Sequence, residues 1–192
     1  MLRIILIRPG TTEYDQQGRI LGTLDVPLSD QGTEQIVQAI DQLRGHGMEA
    51  VYTSPCESAR QTASEISDGL GIRCKISDRL QNIDHGLWQG MLVEEVKRKQ
   101  PKVYRQWMEQ PETVCPPEGE MLDTARARVE GFLSKLFKKH KSGTVGVVVP
   151  EPMARLIESY LRNSELRDIW KNTTEGGSWQ IIEIEQPKLI NV

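Results

Sequence analysis

Residues 2–10 read LRIILIRPG, and residues 144–152 read TVGVVVPEP. Each is a short apolar run, rich in Ile and Val, that breaks at a proline. Neither alternates polar with apolar residues, which is the pattern of a strand buried on both faces of a sheet. Between them lie amphipathic helical patterns. Ser29 offers an N-cap to a helix with Ile36, Ala39, Ile40 and Leu43 on one face. A strand at 50–53 breaks at Ser54-Pro55, and a helix with Ala59, Ala63, Ile66 and Leu70 stops at Gly71. Ile72, Cys74 and Ile76 alternate as in a strand with one buried face.

After Gly119 a long helix is expected to about Lys139, with Leu122, Ala125, Val129, Leu133 and Leu136 inward. A helix carrying Met153, Leu156, Ile157 and Tyr160 follows the second proline segment, and the last strand is expected at 179–184. Strands alternating with helices imply a three-layer α/β/α sandwich on a mostly parallel sheet, formed as a single domain over 1–192. Ligands of such sheets bind beyond the carboxyl ends of the strands, which directs attention to the loops after Ile7, Thr53 and Val149.

Composition narrows the partners. Hydrophobic residues make up 38% and charged residues 27% of the 192, the balance of a folded globular chain. A net charge of −3 gives no footprint for nucleic acid. No stretch has the length to cross a bilayer, and MLRIILIRPG is too short in its apolar part for a signal peptide. The three cysteines, Cys56, Cys74 and Cys115, lack metal-ligand spacing and read as reduced thiols in the cytoplasm. No cofactor and no metal are expected. The basic run KLFKKHK (135–141) reads as the last turn of a helix whose dipole its cations offset, with a phosphate- or membrane-binding patch as the weaker reading.

The loops carry a resemblance. LIRPGTTEYD resembles the Arg-His-Gly-Glu-Thr segment of the histidine phosphatase superfamily, the phosphoglycerate mutase-like proteins. In the same order, GRILGTLDVPLSDQG (18–32), YTSPCESARQTA (52–63), LQNIDHGLWQG (80–90), PPEGEMLDTARARV (116–129) and VGVVVPEPMARLI (145–157) resemble further segments of that family. The resemblance implies a pocket in which one histidine attacks phosphorus. Two arginines and a second histidine hold the phosphoryl oxygens, and a carboxylic acid protonates the leaving group.

Arg8 keeps the first of these roles. Pro9 stands at the nucleophile and Pro150 at the second histidine, and proline has neither a ring lone pair to offer nor an N–H. Ser58 aligns with the second arginine, and Arg60 lies roughly 200° further round a helix. Asn82 stands at the acid, where an amide cannot release a proton at neutral pH. The expectation is a catalytically inactive pseudophosphatase, a pseudoenzyme that binds a protein partner or a small ligand, with homo-oligomerisation left open.

Two alternatives remain. One is a phosphatase or phosphomutase with non-standard catalytic residues such as His85. The other is a sensor of an anionic metabolite. Arg8, Thr12, Arg19, His85 and Glu151 are the candidate ligand-binding residues, although a carboxylate at 151 would repel phosphate. Cys56, two residues after Ser54, is expected to be a small apolar side chain, and His46 and His140 are expected to be plain surface residues.

Overall fold

A computed structural model describes residues 1–164, 166 and 175–185. In chain order the elements are β1 (Leu2–Ile7), α1 (Glu13–Gln17), α2 (Asp30–Leu43), β2 (Met48–Thr53), α3 (Glu57–Leu70), β3 (Arg73–Ile76), α4 (Val93–Lys99), α5 (Pro101–Glu109), α6 (Leu122–Lys139), β4 (Gly143–Val148), α7 (Met153–Arg162) and β5 (Trp179–Ile184). They form a three-layer α/β sandwich on a mostly parallel sheet. The strand order is β3-β2-β4-β1-β5, and only β5 runs antiparallel to its neighbour.

The unbroken apolar run of β1 follows from its place in this sheet. Leu2, Ile4 and Leu6 pack with Val129, Leu133 and Leu136 of α6 and with Leu156 and Ile157 of α7. Ile5 and Ile7 point the other way, onto Ile36, Ile40 and Leu43 of α2 and Ala59, Ala63 and Ile66 of α3. All five β1 side chains are wholly buried, which removes any reason for alternation. Burying each of them contributes about 1.5–3 kcal/mol before chain entropy is counted.

β3 departs from expectation. Ile72 lies just before it, and all four of its residues, Arg73 to Ile76, are exposed. It is an edge strand, and its charged side chains oppose pairing with another chain.

Register brings the functional loops together. Ile7 and Thr53 both pair with Val148, so β1, β2 and β4 end level. Ser54 N–H then donates to Val148 O at 2.9 Å, and Val149 N–H to Ile7 O at 3.1 Å. The loop after β1 lies tight against α2: a Cβ on Gly10 would sit 2.4 Å from Gly32 O. A third cluster, Ile20, Trp88, Val96, Trp107 and Val114, supports the loops that cover the strand ends. No helix among the described residues is long and apolar enough to cross a membrane.

Candidate functional site

A cavity of about 370 Å³ opens at the carboxyl ends of β1 and β4. Arg8, Pro9, Arg19, Ser58, His85, Pro150 and Glu151 all line it. Of the remaining candidates, Thr12 is 1% exposed and takes part in the N-cap of α1. Its hydroxyl donates to Asp15 Oδ2 at 2.7 Å, and Asp15 N–H donates back to it at 3.2 Å.

Asn82 is wholly buried and acts as a tie between loops. Its Nδ2 donates to Gly22 O at 3.0 Å and to Glu151 O at 3.1 Å. Arg60 is exposed and ion-paired with Glu57, away from the cavity, as the helical rotation from Ser58 requires. Cys56 is 2% exposed, with Ser54 Oγ donating to its Sγ at 3.4 Å.

The electrostatics of the cavity are mixed. Arg8 is buried, and its Nε donates to Glu151 Oε1 at 2.9 Å, while a second nitrogen lies 3.7 Å from Glu158 Oε2. Glu151 also accepts the Arg155 backbone N–H at 3.3 Å, at the start of α7. Arg19 is oriented by Gly90 O, 2.7 Å from its Nη1, and by Gln17 Oε1, 2.7 Å from its Nε. Asp15 and Glu175 add further carboxylates to the lining.

His85 stands 3% exposed, with its ring edge-on to Trp107 at 5.5 Å between centroids. Burial pushes its pKa down to about 4, against a smaller upward pull from Asp84. The imidazole is therefore neutral at pH 7, with a ring nitrogen that carries a lone pair.

His46 and His140 are more engaged than surface residues would be. The His46 ring meets Trp179 edge-on at 5.0 Å, and His140 Nε2 is 2.9 Å from Tyr52 Oη. Sequence spacing could not reveal either contact, because each partner lies far away in the chain.

Residues 4–190 match the family model described as histidine phosphatase superfamily, branch 1. The chain is 34% identical over 186 residues to phosphoserine phosphatase 1 of Hydrogenobacter thermophilus, spanning 97% of this chain and 88% of that one. It is 25% identical over 183 residues to the adenosylcobalamin/alpha-ribazole phosphatase of Salmonella typhimurium, spanning 95% and 91%. The solved structure of mycobacterial glucosyl-3-phosphoglycerate phosphatase superposes with a TM-score of 0.85 at 22% identity, covering 93% of this chain and 90% of that one, a likeness of fold.

These comparisons correct the expectation of a pseudophosphatase. Relatives matched along nearly the whole chain carry phosphatase names, which argues against reading it as a non-enzyme. The expectation rested on individual loop positions and assumed that the chemistry allows one residue set. The 80–90 segment that carries Asn82 also brings a neutral imidazole, His85, to the cavity wall.

Proposed function

Because this chain belongs to the histidine phosphatase superfamily, branch 1, we propose that it is a phosphatase or phosphomutase working with non-standard catalytic residues. His85 is the proposed general base. Arg8 and Arg19 are the proposed cations for the phosphoryl oxygens. The observation that supports this reading is a neutral, buried imidazole lining the same cavity as two arginines. We place the reaction in the cytoplasm, where the three free thiols would stay reduced.

In the hydrolytic form, His85 takes a proton from water as the water oxygen bonds to phosphorus. The ester P–O bond breaks on the opposite face of phosphorus, where the leaving alkoxide takes a proton from solvent, and the imidazolium returns its own proton to solvent. With a pKa of about 4 the imidazole is a weak base, so it accepts the proton only as the new P–O bond makes the water acidic, and it gives that proton up readily afterwards. Arg8 and Arg19 would offset the charge gathering on the phosphoryl oxygens. Pro9 and Pro150 leave no histidine to carry a phosphoryl group at those positions, so direct attack by water suits this residue set.

Phosphate release from a panel of phosphomonoesters, phosphoserine and p-nitrophenyl phosphate among them, tests the proposal. The wild-type chain should release phosphate above a heat-denatured control, and His85→Asn should lose that activity. A wild-type chain silent across the panel would overturn the function. Full activity in His85→Asn would remove His85 from it.

A further inference from the structure

The basic run at 135–141 takes no part in the cavity. We infer that Lys75, Lys139 and His140 form a second anion-binding site, built around the hydroxyl of Tyr52, that takes a phosphate-like oxyanion. Lys139 Nζ donates to Tyr52 Oη at 3.1 Å, and Nζ sits 5.6 Å from the centre of the Tyr52 ring. His140 Nε2 lies 2.9 Å from the same oxygen. Lys75 arrives from a different element: it is the β3 residue directly paired with Tyr52 of β2.

Three basic side chains, one from β3 and two from the end of α6, thus gather around one phenol of β2. Among the described residues no carboxylate lies within ion-pair distance of Lys75 or Lys139, and burial, with Lys139 and Lys75 beside it, holds the His140 pKa below its ordinary value against a smaller upward pull from Glu49. Lys139 and Arg73 both make it harder for Lys75 to hold its proton, as adjacent like charges do.

Two ordinary explanations cover part of this arrangement. The carboxyl end of α6 favours cations, which accounts for Lys138, Lys139 and His140. A charged edge strand resists pairing, which accounts for Arg73 and Lys75 being exposed on β3. Neither explains why Lys75, the strand partner of Tyr52, stands close enough to Lys139 to feel its charge while Lys139 is bonded to the Tyr52 hydroxyl. Such a pair is costly when empty and favourable with an anion between the two cations. A tetrahedral oxyanion can accept from both ammonium groups at once.

Inorganic phosphate is the probe, added to the whole chain at constant ionic strength while the ring protons of His140 and His85 are followed by NMR. A saturable shift at His140 is expected, weakened about tenfold in the Lys75→Gln/Lys139→Gln double variant, which corresponds to about 1.4 kcal/mol. The His85 resonance reports separately on the cavity, so binding at the two places is resolved. A His140 shift reproduced by sodium chloride, or one that survives in a double variant with unchanged thermal unfolding, would overturn the inference.

Discussion

Arg8 Nε donates to Glu151 Oε1 at 2.9 Å, so the first cation of the cavity already carries a carboxylate. Both side chains are largely out of water, at 9% and 14% exposure, where screening is weak and the pair is held firmly. An incoming phosphoryl oxygen must therefore compete with Glu151 for the guanidinium. Glu151→Gln keeps an oxygen to accept from Arg8 but removes the competing charge. Phosphate affinity should rise about tenfold, the scale of a charge-assisted hydrogen bond against a neutral one. Calorimetric titration of both proteins with phosphate measures it, and equal affinities would show that Glu151 does not compete.

His85 makes stability depend on acid. Its folded pKa, about 4, lies below its ordinary value of 6.5, so between these values the unfolded chain binds a proton that the folded site refuses. Its contribution is complete above about pH 6.5 and is lost as pH falls towards 4, by about 3 kcal/mol at most. Urea unfolding at pH 7 and pH 4.5 should show a steeper loss in the wild-type chain than in His85→Asn. The same ionisation sets the acid limb of kcat/KM near pH 4 under the proposed mechanism. A limb near 6.5 would separate His85 from the proton transfer.

Asn82 stands where the resemblance implies an acid, and its surroundings suit an amide. Both hydrogen bonds from Nδ2 run to backbone carbonyls, those of Gly22 and Glu151. Asn82→Asp would set a buried carboxylate against two carbonyl oxygens and leave both without a donor. A cost of about 2–4 kcal/mol at pH 7 is expected, in line with unmet buried polar groups beside a charge. Protonation supplies one donor, so the gap to wild type should narrow as pH falls. Thermal unfolding of the two proteins at pH 7 and pH 4.5 would reveal this, and unchanged stability at both would sink it.

The fold was legible because its signal is local. The β1 and β4 runs, the Ser29 cap and the inward face of α6 each follow from periodicity within a few residues, and all lie where expected. β3 forms where the alternation of Ile72, Cys74 and Ile76 places a strand, but without the expected buried face, because alternation over so short a stretch reports shape and says nothing of what flanks the strand.

The site was legible in part. Arg8, Pro9, Ser58 and Pro150 line one cavity, as their places at the strand ends imply. The Arg8–Glu151 pair spans 143 residues of sequence, and the tie from Asn82 to Gly22 spans 60, so no spacing rule could have found them. The neutrality of His85 was hidden for the same reason, since it comes from burial against Trp107, a neighbour only in space.

Gly10 fixes how closely the loop after β1 approaches α2. A Cβ there would meet Gly32 O at 2.4 Å and Gly32 C at 2.8 Å, both backbone atoms that no rotamer change can move. Gly10 N–H also donates to Thr62 Oγ1 at 3.1 Å, which ties the same loop to α3. Gly10→Ala must push the loop and α2 apart, at a cost of about 1–3 kcal/mol typical of overpacking. Because Arg8 and Pro9 precede it in the cavity wall, the displacement should also weaken phosphate binding. Gly18→Ala is the matched control: no atom lies within 4 Å of a Cβ built there, so its cost comes from its φ of +68° alone. Equal phosphate affinity in the two variants would show that the loop position is set elsewhere.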